Sequence, residues 1–477
     1  MIKKIAILGA GPGGYVAAVR AAQLGADVTV IENDQVGGTC LNWGCVPSKI
    51  LKTTADRVDI SRRFGEFGIL MEGEIRLDMD TLAERKERVI QTQRKAIEAL
   101  FKHNRVRYER GKGRILEYGK IEVHRLTGER EIVSWNRLLI ATGSRPIDIP
   151  TFPFDGERVI SSNEALFLND IPESIVIVGG GVIGCEFAFI FAGLGSRVTV
   201  VEAMERLLPL PSVDDANSKV LQREMKKRKI DFFVNRTVNS LDYSQSGLHI
   251  NIGPSTLSDK GKGQKREPFM LEAEKLLVCI GRRPNTDDIG IGSVGIKTDK
   301  QGWIQVNGKM ATNIKNIYAL GDVLGPEKVM MAHVASAEGI VAAENATGGN
   351  SKMEYDVIPG AIFTTPEVAD VGITEAQALS QGIKIRTDTV LFRNISKAQV
   401  LGEIAGQVKM ISQRDTGKIL GVHIIGPHAT DLIAEGALAV KRGCTVKQLA
   451  GTIHAHPTLA EIMLETSLKA LDRGLHG

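Results

Sequence analysis

One unit of the sequence occurs twice, at a constant offset of 170 positions. Residues 3–32 read KKIAILGAGPGGYVAAVRAAQLGADVTVIE, and residues 173–202 read ESIVIVGGGVIGCEFAFIFAGLGSRVTVVE. Each copy has an apolar run, a G-x-G-x-x-G turn, an amphipathic segment, and a second run rich in valine and threonine that ends in glutamate. This order predicts strand, turn, helix and strand. We therefore expect two α/β domains of the same kind.

The glycines and the glutamate of each copy stand where dinucleotide binding requires them. The first glycine permits a tight turn, the second lets a pyrophosphate approach the backbone, and the third lets the helix pack closely on the strand. The helix N-terminus then faces the phosphates, and the carboxylate accepts hydrogen bonds from the ribose hydroxyls. A merely structural glycine turn is the alternative, but the complete unit follows the turn twice. The predicted residues are Gly9, Gly11, Gly14 and Glu32 in the first copy and Gly179, Gly181, Gly184 and Glu202 in the second.

The acid that ends the second copy indicates which nucleotide binds there. A carboxylate at Glu202 would repel a 2′-phosphate, so it favours NAD over NADP. No arginine stands at residues 203–205, although Arg206 follows closely. Two dinucleotide sites in one chain suggest two cofactors that pass electrons between them.

Two of the five cysteines stand five residues apart in the stretch GGTCLNWGCVPSK. In a regular helix, Cys40 and Cys45 would be separated by about 7.5 Å of rise, more than the usual Cα spacing of a disulfide. The pair can bridge only on an irregular turn, which Gly44 could permit. Pro47 fits the first turn of a helix whose N-terminus would stabilise a thiolate at Cys45. Lys49 could share that face and add positive charge.

Three interpretations of this pair compete: a structural disulfide, half a zinc site and a redox-active pair. The five cysteines are too few and too scattered for a disulfide scaffold, so a reducing, intracellular setting is expected, which disfavours a structural bridge. A zinc site needs a second close cysteine pair, and the sequence has none. A redox-active pair fits both the activated thiolate and the neighbouring nucleotide fold.

A thiol pair that accepts and releases protons needs a base, and the C-terminal stretch IHAHPTLAEIMLE supplies candidates. His456 and Glu461 are five residues apart, across a turn and the start of a helix that Pro457 would open. That spacing could let the carboxylate orient the imidazole and raise its basicity. A surface histidine before a helix-opening proline is the alternative, and spacing alone leaves both open. His454 is interpreted as a neighbour of the base.

A chain of 477 residues is too long for one core. Three domains are expected, with the polar segment 255–268 as an exposed hairpin loop within the second. After about residue 350 the sequence pattern changes and predicts mixed strands and helices without a nucleotide-binding turn. The predicted domains are 1–150 with its continuation 276–350, then 151–275, then a separate α+β domain at 351–477.

Charge and hydropathy exclude several classes of partner. The net charge of +4 comes from 60 basic and 56 acidic residues that are well mixed, which gives no reason to expect nucleic acid or an anionic membrane. The N-terminal apolar run breaks into glycines and is not a secretion signal. No apolar run approaches the roughly 20 residues of a membrane helix. We expect a cytoplasmic protein without a metal site.

Eight motifs together resemble the flavin-dependent pyridine nucleotide-disulfide oxidoreductases, over essentially the whole chain. They are GAGPGG at 9–14, GGTCLNWGCVPSK at 37–49, ATGSRP at 141–146, GGGVIGCE at 179–186, CIGRRPN at 279–285, YALGDV at 318–323, MAHVASAEG at 331–339 and HAHPTLAE at 454–461. The last string is most similar to the dihydrolipoamide dehydrogenases of that family. Mercuric reductases carry an extra C-terminal cysteine pair, and glutathione reductases tend to have a second lysine where this chain has Ser48.

The resemblance implies two Rossmann-like dinucleotide-binding domains, for FAD and NAD, and a C-terminal α+β dimerisation domain. It implies that the first glycine turn and Glu32 hold the ADP half of FAD. The remaining flavin contacts would come from Lys49, Gly113, Thr142, Gly143, Ser144, Asp322 and Ala332. The second glycine turn, Glu202 and Gly281 would hold NAD, with Glu186 near the nicotinamide.

The resemblance also implies a reaction: dihydrolipoamide is oxidised to lipoamide while NAD⁺ is reduced. Cys40 would be the thiol that meets substrate and Cys45 the sulfur facing the flavin. His456, paired with Glu461, would act as base on the disulfide of the other subunit of a homodimer. Lipoyl-bearing subunits of 2-oxo acid dehydrogenase or glycine cleavage complexes would be partners, and a related reductase of another disulfide is the alternative. Trp43 departs from the small aliphatic residue often found between the cysteines.

Overall fold

The computed structural model describes residues 2–245, 247–257 and 267–476. The strands are β1 Lys4–Leu8, β2 Asp27–Glu32, β3 Arg107–Glu117, β4 Lys120–Arg125, β5 Arg130–Ser134, β6 Arg137–Ile140, β7 Ser144–Pro146, β8 Val159–Ile160, β9 Ser174–Val178, β10 Arg197–Glu202, β11 Asp231–Val234, β12 Arg236–Tyr243, β13 Leu248–Pro254, β14 Phe269–Ala273, β15 Lys275–Val278, β16 Arg282–Pro284, β17 Ile317–Ala319, β18 Gly360–Ile362, β19 Glu367–Gly372, β20 Ile385–Leu391, β21 Gln407–Gln413 and β22 Ile419–Gly426. The helices are α1 Pro12–Gln23, α2 Gly38–Asn42, α3 Cys45–Ser61, α4 Met79–His103, α5 Ser162–Ala165, α6 Val182–Leu194, α7 Asp215–Lys227, α8 Ala332–Ala346, α9 Glu375–Ser380, α10 Ser396–Leu401, α11 Ala429–Arg442, α12 Val446–Ala450 and α13 Glu461–Lys469.

The first copy of the repeated unit forms the centre of a seven-stranded sheet. The strand order is β17-β6-β1-β2-β3-β4-β5. The strands from β17 to β3 are parallel, and β4 and β5 add antiparallel strands at the edge. The β1 strand, KIAIL, is buried over four of its five residues because helices cover the sheet. Helix α1 connects β1 to β2, and α8 packs against α1.

The second copy of the unit forms the centre of a five-stranded sheet. The order is β11-β10-β9-β15-β8, and all its pairings are parallel. Helix α6 connects β9 to β10, as α1 connects β1 to β2. The antiparallel sheet β12-β13-β14 follows in the same part of the chain. The predicted hairpin loop at 255–268 lies mostly outside the described residues, and the flanking strands β13 and β14 pair.

The C-terminal part has a different architecture. Five antiparallel strands, in the order β18-β19-β22-β21-β20, are covered by α11 and α13. Its core contains Val371, Phe392, Ile424, Ile433 and Met463, all buried. The predicted fold class, with two nucleotide-binding units and a separate α+β unit, is confirmed. The predicted domain boundaries stay a prediction.

Helix length and hydropathy bear on the membrane prediction. Within residues 2–245, 247–257 and 267–476, no helix combines the length and the apolar character needed to cross a membrane.

Candidate active site

A cavity of about 1220 Å³ lies beside the carboxyl ends of β1 and β6 and the N-terminus of α3. Many of the residues predicted for FAD and for the redox pair line it. They are Gly9, Gly11, Glu32, Cys40, Cys45, Lys49, Gly113, Thr142, Gly143, Ser144, Asp322 and Ala332. Glu186, which was predicted to lie near the nicotinamide, lines the same cavity. The structure thus collects residues that lie up to 323 positions apart in the sequence.

The walls of this cavity fit the ADP half of a dinucleotide. Gly9 has φ +101°, and a Cβ there would collide with the Ala141 carbonyl oxygen. The Glu32 carboxylate is fixed in place, because Oε2 accepts from the Ala10 N–H at 2.6 Å and Oε1 from the Asp34 N–H at 2.9 Å. Within the described residues, the buried Thr142 Oγ1 has no hydrogen-bond partner. A bound ligand with polar atoms would satisfy that hydroxyl.

The cysteine pair lies on the irregular turn that the sequence predicted. Helix α2 ends at Asn42 and α3 begins at Cys45, so the two cysteines belong to different helices. Both are thiols in this structure. A hydrogen bond from the Cys40 thiol lowers the pKa of Cys45 to about 7, against the effect of burial. The same hydrogen bond raises the pKa of Cys40. The two sulfurs are therefore unequal, and the thiolate is favoured at Cys45.

A lysine lies between the cysteine pair and the second nucleotide unit. Lys49 Nζ donates a hydrogen bond to Glu186 Oε2 at 2.7 Å and lies 4.3 Å from the centre of the Phe363 ring. The Phe363 N–H donates to Glu186 Oε1 at 2.9 Å. The positive charge of Lys49 contributes to the lowered pKa of Cys45. This contact joins α3, α6 and the C-terminal sheet at one edge of the cavity.

Two residues beside the predicted flavin contacts were not predicted from the sequence. Arg282 donates from Nε to Ser144 Oγ at 2.6 Å and from Nη2 to the Ser144 carbonyl oxygen at 2.7 Å. Ser144 in turn donates to Asp322 Oδ2 at 2.7 Å. The buried Glu338 carboxylate accepts from the Gly321 N–H at 2.6 Å, and burial raises the pKa of Glu338 to about 7. Both lie in quoted motifs, CIGRRPN and MAHVASAEG, which are the signals that could have found them.

The second glycine turn has the same local geometry as the first. Gly179 has φ +103°, and a Cβ there would collide with the Cys279 carbonyl oxygen. Glu202 accepts from the Gly180 N–H at 2.5 Å and from the Met204 N–H at 2.7 Å, so its carboxylate stands at the turn. Gly181 has open space where its Cβ would stand. These residues fit a nucleotide with free ribose hydroxyls.

Arg206, which left some doubt about the nucleotide, is occupied elsewhere. Its guanidinium donates to the carbonyl oxygens of Leu208, Leu210 and Val213 at 2.8, 3.0 and 2.9 Å. It therefore stabilises the loop after β10. A 2′-phosphate would have to displace these three hydrogen bonds, which supports NAD over NADP.

Several predicted residues do not line the cavity. Gly14 is a packing position, since its Cβ would collide with the Gly9 carbonyl oxygen, and Gly184 repeats this against Gly179. Gly281 has φ +123° in the connection between β15 and β16. The cavity lining in the described residues also excludes Gly179, Gly181, Glu202, His456 and Glu461.

The predicted base pairs with the predicted acid, outside the lining of the cavity that contains the two cysteines. His456 Nδ1 and Glu461 Oε1 are 2.9 Å apart, and Glu461 Oε2 accepts from the Thr458 N–H at 2.9 Å. Burial raises the pKa of Glu461, but these two hydrogen bonds lower it overall. The His456 side chain is 70% exposed, so it is available to another molecule. Helix α13 begins at Glu461, not at Pro457 as the sequence suggested.

Comparison with known proteins identifies the family. The sequence model described as "Pyridine nucleotide-disulphide oxidoreductase" matches residues 3–339, and the model of the dimerisation domain of the same proteins matches residues 358–467. The chain belongs to the pyridine nucleotide-disulphide oxidoreductase family. Members of this family use FAD and NAD(H), so both predicted cofactors are confirmed. The match to the dimerisation domain supports the predicted homodimer.

Full-length relatives of this oxidoreductase come from distant organisms. It is 38% identical to "Dihydrolipoyl dehydrogenase" of Chlamydia muridarum over 98% of this chain and 97% of that protein. It is 38% identical to "Dihydrolipoyl dehydrogenase" of Halobacterium salinarum over 99% of this chain and 97% of that protein. "Dihydrolipoyl dehydrogenase 1, mitochondrial" of Arabidopsis thaliana is 35% identical over 99% of this chain and 91% of its own length.

Solved structures agree with the fold of the family. The structure of LpdA from Mycobacterium tuberculosis matches with a TM-score of 0.89 and 28% identity, over 98% of this chain and all of that one. The HOCl-induced flavoprotein disulfide reductase RclA from Escherichia coli matches with a TM-score of 0.83 and 24% identity, over 97% and 99% of the two chains. The latter likeness shows the fold alone.

The unequal thiols can be tested by alkylation. In the reduced protein, the rate at which iodoacetamide labels Cys45 should rise through a pKa of about 7, where an ordinary thiol titrates near 8.5. Cys40→Ala removes the donor and should raise that pKa by more than Lys49→Met does, because the Cys40 hydrogen bond is the largest cause. Mass spectrometry of the labelled peptide gives the rates. A Cys45 that titrates at 8.5 or above in the unaltered protein would contradict the assignment.

Proposed function

We propose that this oxidoreductase is a dihydrolipoyl dehydrogenase, which oxidises protein-bound dihydrolipoamide to lipoamide and reduces NAD⁺. One observation carries the proposal: Cys40, Cys45 and Lys49 line the same cavity as the residues predicted to hold FAD. The names of the full-length relatives support the choice of substrate. The motif HAHPTLAE at 454–461 points the same way.

The first half of the reaction is thiol–disulfide exchange. His456 of the partner subunit takes the proton of one substrate thiol, and the resulting thiolate attacks Cys40 Sγ of the oxidised pair. The Cys40–Cys45 bond breaks, and Cys45 leaves as thiolate. The second substrate sulfur then attacks the first, which closes the lipoamide ring and releases Cys40. One substrate proton remains on Cys40, and the other leaves through His456.

The geometry of the reduced pair suits this outcome. Cys40 keeps its proton and donates it in a hydrogen bond, while Cys45 carries the charge near the N-terminus of α3 and the ammonium of Lys49. FAD, held by the residues that line this cavity, would supply the two-electron redox chemistry that links the cysteine pair to NAD⁺. Glu186 holds Lys49 in place, at the junction with the second nucleotide unit.

Each half of the remaining site has a proposed role. The residues that line the cavity hold FAD, with Glu32 on the ribose and the Ser144–Asp322 pair further along. The second glycine turn, Glu202 and Gly281 hold NAD. The proposed domains remain 1–150 with 276–350, then 151–275, then 351–477. A cytoplasmic location stays a prediction from the sequence.

A steady-state assay tests the proposed function. Purified protein, loaded with FAD, should reduce NAD⁺ with dihydrolipoamide and should turn over lipoamide far better than glutathione disulfide or other small disulfides. A preference for another disulfide would replace the proposal by a related reductase. Copurification with lipoyl-bearing subunits tests the proposed partners, which belong to 2-oxo acid dehydrogenase or glycine cleavage complexes.

The carboxylate of Glu202 should determine the choice of nucleotide. We expect NAD⁺ to be a better acceptor than NADP⁺. Glu202→Ala should raise the KM for NAD⁺ by about tenfold or more, because a charged hydrogen bond to the ribose is lost. The same change should reduce the preference for NAD⁺ over NADP⁺. Asp231→Ala, at the start of the adjacent strand β11, is the matched control. A wild-type preference for NADP⁺ would overturn the assignment.

A further inference from the structure

Trp43, the unusual residue between the two cysteines, has a position that the redox reaction does not explain. It caps the C-terminus of α2, its side chain lines the FAD cavity, and 38% of its surface is exposed. A tryptophan offers a large apolar ring surface and an indole N–H that usually finds a hydrogen-bond partner. Trp43 makes one polar contact, with Asp34, and one ring contact, with Phe167.

The first contact is with the segment that binds ribose. Trp43 Nε1 donates a hydrogen bond to Asp34 Oδ2 at 2.9 Å. The Asp34 N–H donates to Glu32 Oε1 at 2.9 Å, and Arg110 holds the Asp34 carbonyl oxygen at 3.1 Å. The indole therefore connects the redox turn to the same short segment that fixes the ribose carboxylate.

The second contact is with Phe167, which lies in the segment that leads into the second nucleotide unit. The edge of the Trp43 ring packs on the Phe167 ring, with centroids 5.2 Å apart and planes at 63°. Phe167 lies two residues after the end of α5. Lys86 Nζ lies 4.2 Å from the Phe167 ring centre and donates to the Leu166 carbonyl oxygen at 2.5 Å, which holds Phe167 against α4.

We propose that Trp43 is a positioning residue that joins the redox turn to Asp34 on one side and to Phe167 on the other and thereby slows the release of FAD. A small aliphatic residue at this position can make neither contact, so the ribose segment, the redox turn and Phe167 would separate more easily. The inference rests on the proposed FAD site but not on dihydrolipoamide as substrate. Cofactor release is measured without any substrate, so the two proposals fail independently.

The experiment measures the rate of FAD release from the holoenzyme. Flavin fluorescence is followed after dilution into excess unlabelled apo-flavoprotein that traps FAD. We expect Trp43→Val to release FAD roughly tenfold faster, because both contacts are lost, and Trp43→Phe to be partly rescued, at about threefold, because the ring contact with Phe167 remains. Tyr243→Phe is the matched control. It removes a similar hydrogen bond from an aromatic side chain to an aspartate, Tyr243 to Asp155 at 2.8 Å, away from the cavity.

A double-mutant cycle separates this role from general loosening of the fold. If Trp43 acts through Asp34, then Trp43→Phe should have no further effect in an Asp34→Ala background. Independent, multiplicative effects of the two changes would overturn the proposal. So would a Trp43→Val protein that releases FAD at the unaltered rate. If Trp43→Val fails to fold, the variants Trp43→Phe and Asp34→Ala and their combination still decide the outcome.

Discussion

Replacing Cys45 by serine should abolish the oxidation of dihydrolipoamide, by more than about 10⁴-fold, while the protein still binds FAD and stays yellow. Serine cannot form the disulfide or supply a thiolate, whereas the lowered pKa of Cys45, about 7, gives a substantial thiolate fraction at neutral pH. The cavity walls that hold FAD do not depend on this sulfur. Steady-state NADH formation and the visible spectrum of the purified variant measure the two halves of the prediction.

Cys444→Ser is the matched control for this change. Cys444 is half-buried beside the core of the C-terminal sheet, away from the cavity, so the same exchange of sulfur for oxygen should leave turnover within about twofold. Substantial dihydrolipoamide oxidation by the Cys45 variant would reject the redox role of the pair. A colourless variant would instead show that the turn is needed to bind FAD.

Replacing His456 by glutamine should lower turnover of dihydrolipoamide by about 10²–10⁴-fold, the usual contribution of a general base. FAD content should be unchanged, because the exposed imidazole touches none of the described cavity lining. His428→Gln is the matched control, since His428 forms a similar pair with Asp431 at 3.6 Å on the surface of the same unit. Normal turnover by the His456 variant would remove it as the base.

A mixed dimer tests whether His456 acts across the subunit interface. When one subunit carries Cys45→Ser and its partner carries His456→Gln, action across the interface leaves one complete site, made of the intact cysteines of the second subunit and the intact histidine of the first. The mixture should then recover up to about half the activity per mixed dimer. If the base acted within its own chain, both sites would be broken, and the mixed dimer would be as inactive as its parents.

Much of the fold and part of the site could be predicted from the sequence because their causes are local. A glycine with positive φ, such as Gly9 or Gly179, is required by a turn of only a few residues, and the acid that ends each unit, Glu32 or Glu202, bonds back to that turn. The separation of helices α2 and α3 between the cysteines has the same local origin. Short-range geometry of this kind can be predicted from residues that are neighbours in the sequence.

The partners across the fold could not be predicted in this way. Arg282 contacts Ser144 only because β16 pairs with β7. Glu338 contacts Gly321 only because α8 packs beside the turn that contains Gly321. Arg206 stood close enough to Glu202 in sequence to suggest phosphate binding, yet its guanidinium turns to three backbone carbonyl oxygens. Sequence distance does not report where a long side chain finds its acceptor.

By itself, the sequence predicted the two nucleotide turns and the redox pair, left the acid–histidine pair open against a surface histidine, and indicated the family through the order of its motifs. Only the tertiary structure decided which way Arg206 points, which groups contact Ser144 and Gly321, and that Trp43 joins the redox turn to Asp34 and Phe167. The reason is physical. A turn is set by the dihedral preferences of adjacent residues, whereas a pKa or a hydrogen bond between distant segments depends on burial and on charges that packing brings together.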